Sequence, residues 1–141
     1  MSILKVLNKT MTDTNFPLMR DLKNTFLDAF SDQSDLHCSA VAPNPLSSPV
    51  LVSSNDQLAK ELGLKPEDIA GETMLSLMAG DFSATNLQPI ALVYSGHQFG
   101  VWAGQLGDGR AMTLGELQVE DALTGVSELW DIQLKGAGTT P

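Results

Sequence analysis

The sequence has a single cysteine, Cys38, so it closes no intramolecular disulfide, and a zinc site built from several thiolates is excluded. Basic residues are scarce too: 8 lysines and arginines stand against 17 acids, for a net charge of −9. Neutralising a phosphate backbone needs the opposite sign, which argues against nucleic acid as a partner. A nucleotide is a different matter, because backbone N–H groups and one or two placed cations hold a triphosphate whatever the overall charge. No apolar run approaches the roughly 18 residues of a membrane span, and the pairs Ile3-Leu4 and Val6-Leu7 are interrupted by Lys5, so no membrane partner is expected. At 141 residues, 43% of them hydrophobic, the chain has material for one modest core and not for two.

Residues 1–17 read as a disordered leader. They carry Lys5 and Lys9 in a first stretch without acids, yet lack arginine until Arg20 and show no cleavage pattern. The rest, residues 18–141, reads as one portion of a domain. Leu18, Leu22, Phe26 and Phe30 recur every four residues and predict an amphipathic helix, with Pro17 suited to its first turn. From Ser31 to Pro49 the chain is polar and then proline-punctuated, which predicts an irregular wrapping loop. Val50-Leu51-Val52 predicts a short strand. Ser54-Asn55-Asp56 offers caps for a helix that buries Leu58, Ala59 and Leu62 and ends at Gly63. Two further helices are expected, one beginning at Pro66-Glu67-Asp68 and one over Glu72 to Met78.

Beyond that point the pattern turns to sheet. Ile90 to Tyr94 is a continuous apolar run, followed by an expected turn at Ser95-Gly96 and a segment through Phe99, Val101 and Trp102. Arg110 to Val119 and Val126 to Lys135 complete three antiparallel strands, the last two separated by a turn that uses Thr124-Gly125. In the last strand Trp130, Ile132 and Leu134 alternate with Asp131, Gln133 and Lys135, so Lys135 points away from the apolar layer. A lysine near the end of such a strand, with a glycine-rich turn earlier in the sheet, is how kinase-type folds hold nucleotide phosphates. A solvated edge lysine has the same pattern. Gly104-Gln-Leu-Gly-Asp-Gly-Arg110 has the glycine density that lets a backbone approach phosphate, and Arg110 adds a cationic fork. It lacks the Gly-Lys-Ser/Thr of a P-loop and reads equally as an Asp-Gly hairpin turn. Asp108 is most simply a turn aspartate bonded to its own backbone, and His97 a packed or capping histidine. Glu116 and Glu128 read as solvated strand charges; His37 is given no role.

Two longer stretches decide between these readings. Tyr94-Ser-Gly-His-Gln-Phe-Gly-Val-Trp-Ala-Gly-Gln-Leu-Gly-Asp-Gly-Arg110 and Trp130-Asp-Ile-Gln-Leu-Lys-Gly-Ala-Gly-Thr-Thr-Pro141 closely resemble the selenoprotein O family of protein adenylyltransferases, formerly treated as pseudokinases. Val41-Ala-Pro-Asn-Pro-Leu46 and Pro49-Val-Leu-Val52 resemble the family's N-terminal region, so the likeness runs from about Phe26 onward. The resemblance implies an α+β, partial protein-kinase-like fold. In that fold ATP binds in a flipped orientation, and AMP passes to a Ser, Thr or Tyr hydroxyl of a protein. It places Gly107, Gly109 and Arg110 in a first nucleotide-binding motif and Lys135 as the phosphate-binding lysine, and it assigns no catalytic residue or metal ligand among these residues. Those belong to later parts of the family's sequence, with Mg2+ or Mn2+ as the expected ion. The segment between Arg110 and Lys135 is a few residues longer than is usual in the family, which a longer hairpin absorbs. The alternatives are a kinase-like phosphotransferase and a non-catalytic ATP-binding module. The expected compartment is the bacterial cytoplasm, or the mitochondrion if the leader is a transit segment.

Overall fold

The computed structural model describes Leu22, residues 34–121 and residues 123–141. The leader and, Leu22 apart, the helix expected over residues 18–30 lie outside the described residues. The elements in chain order are α1 (Ser34–His37), β1 (Cys38–Ala40), α2 (Asp56–Glu61), α3 (Pro66–Ile69), α4 (Glu72–Met78), β2 (Ile90–Gln98), β3 (Val101–Gly107), β4 (Ala111–Glu120) and β5 (Ser127–Lys135).

Helices α2 and α3 start where nearby side chains take up free N–H groups. The Asn55 side chain accepts the Leu58 N–H at 3.0 Å, and Asp68 Oδ2 accepts the Lys65 N–H at 2.9 Å ahead of Pro66. Gly63, with φ +71, follows α2 in the left-handed region. Ala59, Leu64, Ile69, Met74 and Leu77 from this helical stretch pack on Leu114, Leu117 and Val119 of β4, flanked by half-buried Leu22, Leu62, Trp130, Ile132 and Leu134. Each large aliphatic side chain fully buried here contributes roughly 1.5–3 kcal/mol. Leu58 departs from expectation: it remains 40% exposed, and Ala59 takes the inward position.

Among the described residues the strands are antiparallel and number five, which makes the architecture α+β, consistent with the nucleotide-binding lobe of a kinase-like fold. The order is β1-β2-β4-β5, with β3 paired to β2. Strand β2 serves two neighbourhoods: residues 90–92 pair with β1, Ile90 also pairs with Thr113 of β4, and residues 93–98 pair with β3. Strand β4 is central, buried without a break from Ala111 to Gly115. The alternation read for β5 holds, with Trp130, Ile132 and Leu134 toward the helices and Asp131, Gln133 and Lys135 exposed on the other face.

Three expectations are corrected. The loop expected from Ser31 to Pro49 contains α1 and β1, because Cys38 to Ala40 finds a partner in the start of β2. Val50-Leu51-Val52 forms no strand; Val50 and Val52 are 77% and 93% exposed, and Pro49 deprives the segment of a ladder donor. The turn expected at Ser95-Gly96 lies four residues later, at Phe99-Gly100. Gly96 instead sits inside β2 opposite Gly104, where a Cβ would run into the Leu106 side chain. Phe99 and Gly100 have φ of +52 and +78, the pair of positive values that a two-residue type I′ hairpin demands.

Candidate functional site

The two glycine-rich stretches are far apart in sequence and adjacent in the structure. Strands β4 and β5 pair from Glu120↔Ser127 to Ala111↔Lys135, so the start of β4 and the end of β5 form one edge of the sheet. Beyond that edge the backbones stay in contact. The Gly136 N–H donates to the Arg110 carbonyl at 2.9 Å, and the Thr140 N–H donates to the Gly109 carbonyl at 2.9 Å. Residues 107–110 and 135–141 thus form a single corner, and it contains Gly107, Gly109, Arg110 and Lys135 together.

Each side of the corner has its own support. The turn at 108–110 is closed by the Asp108 carbonyl, which accepts the Arg110 N–H at 2.7 Å and the Ala111 N–H at 3.2 Å. Gly109 has φ +67, a value that glycine adopts without Cβ strain. On the other side the Asn44 N–H donates to the Ala137 carbonyl at 2.7 Å, and a Cβ on Gly80 would meet those of Pro43 and Ala137 at 3.1 and 3.2 Å. The proline-rich loop and the end of α4 therefore buttress the glycines that follow Lys135. Pro141 closes over Gly107, where a Cβ would come within 2.8 Å of the Pro141 carbonyl oxygen.

Access to the corner is uneven. Arg110, Lys135, Gly109 and Gly136 are exposed, and no heavy atom lies within 4 Å of where a Cβ would stand on Gly109 or Gly136. Among the described residues neither Arg110 nor Lys135 has a carboxylate partner, and the Thr140 hydroxyl is buried with no hydrogen-bond partner. Two cations with no carboxylate partner among the described residues, beside bare glycine backbone, form a surface suited to an anion with several oxygens. Tyr94 borders it, its hydroxyl donating to the Gly107 carbonyl at 3.1 Å.

The remaining candidates fall elsewhere. His97 is exposed on β2, and among the described residues no group of three or more His, Cys, Asp or Glu could hold a metal ion. Glu128 is exposed and accepts the Trp130 indole N–H at 3.2 Å. Asp108 corrects an expectation: its carboxylate bonds the Leu92 N–H of β2, 16 residues away, at 2.7 Å, and not its own backbone. Sequence reasoning also missed Asn44 and Thr140. The prolines around Asn44 signalled a fixed loop, and nothing in them signalled where it packs.

Comparison with known proteins bears on the same residues. The family model described as protein adenylyltransferase SelO matches residues 20–141. Protein nucleotidyltransferase YdiU of Rhodopirellula baltica is 44% identical over 103 residues, 73% of this chain and 18% of the relative. The proteins of the same name from Bordetella petrii and Azoarcus sp. are 46% identical over 101 and 103 residues, covering 72% and 73% of this chain and 19% of each relative. The chain spans about a fifth of the length of these relatives. With a match over nearly its whole length, and with both glycine motifs and Lys135 inside it, the chain belongs to the SelO family of protein adenylyltransferases.

Proposed function

We propose that this chain supplies the first part of the ATP site of a protein adenylyltransferase, which transfers AMP from ATP to Ser, Thr or Tyr hydroxyls of proteins. The observation that carries the reading is the corner where the Gly109-Arg110 turn meets the Lys135–Gly138 segment, with neither cation holding a carboxylate partner among the described residues. Bare backbone at Gly109 and Gly136 leaves room for phosphate oxygens, and the buried Thr140 hydroxyl still has hydrogen-bonding capacity. Arg110 offers a planar fork to two oxygens and Lys135 a point charge.

In this reading the acceptor hydroxyl oxygen attacks the α-phosphorus, the bond from that phosphorus to the bridging oxygen breaks, and pyrophosphate leaves as the hydroxyl loses its proton. Arg110 and Lys135 hold the triphosphate and offset the charge that grows on the departing pyrophosphate, the main task in transfers of this type. A divalent ion would neutralise part of the same charge. The family resemblance assigns its ligands to other parts of the protein.

The test is intact-mass spectrometry of the full-length protein incubated with ATP and Mg2+ or Mn2+, with and without candidate acceptor proteins. A gain of AMP is expected, reduced on the order of 10²-fold by Lys135→Ala. A gain of phosphate with ADP as the product would replace this reading with phosphotransfer, and nucleotide binding without modification would replace it with a binding module.

A further inference from the structure

We propose that Asp108 is a positioning residue, a carboxylate that stands in for a strand carbonyl and holds the Gly109-Arg110 turn against the end of β5. The proposal rests on the nucleotide reading of that corner. Strand β2 pairs with β3 down to Val93↔Gly107 and with β4 at Ile90↔Thr113. Between these pairings lies Leu92, and Asp108 Oδ2 accepts its N–H at 2.7 Å. The Asp108 carbonyl meanwhile accepts the N–H groups of Arg110 and Ala111.

One residue therefore fastens the turn to β2 by its side chain and closes the turn by its backbone. Two links run on from there. The Gly109 carbonyl takes the Thr140 N–H, and the Arg110 carbonyl takes the Gly136 N–H next to Lys135. Losing the carboxylate would orphan a partly buried N–H and free the turn that sets the distance between the two cations. The role depends on an acceptor oxygen at this reach. It does not depend on negative charge, which beside Arg110 and Lys135 weakens the field for an anion. A metal-binding aspartate has the opposite requirement, since a carboxamide is a poor replacement for a carboxylate at a hard divalent ion.

The experiment measures ATP affinity of the full-length protein, with and without Mg2+, for Asp108→Asn and Asp108→Glu. Asparagine keeps an acceptor at the same reach, so affinity should stay within about two-fold of the parent under both conditions. Glutamate keeps the charge and moves the acceptor by one methylene, and a loss of about ten-fold is expected, independent of Mg2+. Tolerance of glutamate with loss in the asparagine variant, restricted to Mg2+-containing samples, would make Asp108 a metal ligand and overturn the proposal. Equal behaviour of the two variants, whether tolerated or lost, would overturn it too. Arg110→Ala and Lys135→Ala serve as controls: if neither weakens ATP binding, the nucleotide reading itself fails and this proposal with it. If both weaken it, a contrary Asp108 result counts against the positioning role alone.

Discussion

Gly107 and Gly109 flank Asp108, and each is glycine for a different physical reason. At Gly107 a side chain would strike backbone, with the Pro141 carbonyl oxygen at 2.8 Å and that of Leu92 at 3.3 Å, neither on a flexible side chain that could step aside. At Gly109 the space is open and the obstacle is the dihedral, φ +67, which costs an L-residue roughly 1–2 kcal/mol. Gly107→Ala should therefore lower stability by about 1–3 kcal/mol through displacement of Pro141 or β2, and Gly109→Ala by about 1 kcal/mol. Nucleotide binding should separate the two further. A methyl at Gly109 projects into the open side of the corner and should weaken ATP binding more than its stability cost implies, whereas Gly107→Ala should affect binding only as far as it moves the turn. Denaturant midpoints and ATP titrations on the same preparations check both statements. A Gly107→Ala protein as stable as the parent would mean that the Pro141 segment does not lie against β3.

At the scale of elements, the β4–β5 hairpin owes its geometry to Asp121. Its carboxylate accepts the Thr124 N–H at 2.7 Å, the Thr124 hydroxyl at 2.9 Å and the Leu123 N–H at 2.9 Å, and its main chain bonds to Val126 and Gly125. The Thr124 backbone bond, then the Thr124 hydroxyl and the Leu123 backbone, hold the carboxyl below its ordinary value of 3.8. A carboxyl whose pKa is depressed on folding stabilises the fold above its unfolded value, and that contribution is lost as pH falls through the lower folded value. The hairpin should accordingly loosen as pH drops below 3.8, and Asp121→Asn, which keeps an acceptor and removes the titration, should flatten the acid limb of the melting-temperature profile. An unchanged acid limb would assign it to other carboxyls, Asp81 with its bonds from Ser83 among them. This hairpin was legible in the sequence, because Thr124-Gly125 marks the turn and strict alternation marks β5. Legible too were helices α2 to α4, whose start and stop signals lie next to them in the chain. The hairpin of β2 and β3 was misplaced because Ser95-Gly96 has turn composition, and only the partner strand reveals that Gly96 makes room for Leu106. Strand β1 was missed for a similar reason: three residues acquire strand character from β2 and not from their own pattern. In the corner itself, glycine and lysine types pointed to residues that the fold brings together, while the Asp108 bond to Leu92 spans 16 positions and leaves no local trace.

At the scale of the whole molecule, the charge balance opposes the proposed ligand. A chain of net charge −9 repels ATP at long range, while Arg110 and Lys135 attract it at short range. Distance decides which effect governs binding. At about 0.1 M salt the Debye length is about 10 Å, so the diffuse negative field is screened before it reaches the ligand, whereas two cations in contact with phosphate oxygens act inside that length. The two effects give opposite signs of salt dependence. If contact with the cations dominates, ATP affinity of the full-length protein should fall several-fold as salt rises from about 0.05 to 0.5 M, because ions compete for the cations and screen them. If the net charge dominates, added salt should strengthen binding. We expect the first result for the parent protein. The Arg110→Ala, Lys135→Ala double variant should lose most of that dependence. The two single variants should each lose nearly as much affinity as the double, since in the proposed site the cations would share one triphosphate and their effects would not be independent. A parent protein whose affinity rises with salt would place the phosphates away from Arg110 and Lys135, and isothermal titration across the salt series reads that sign directly.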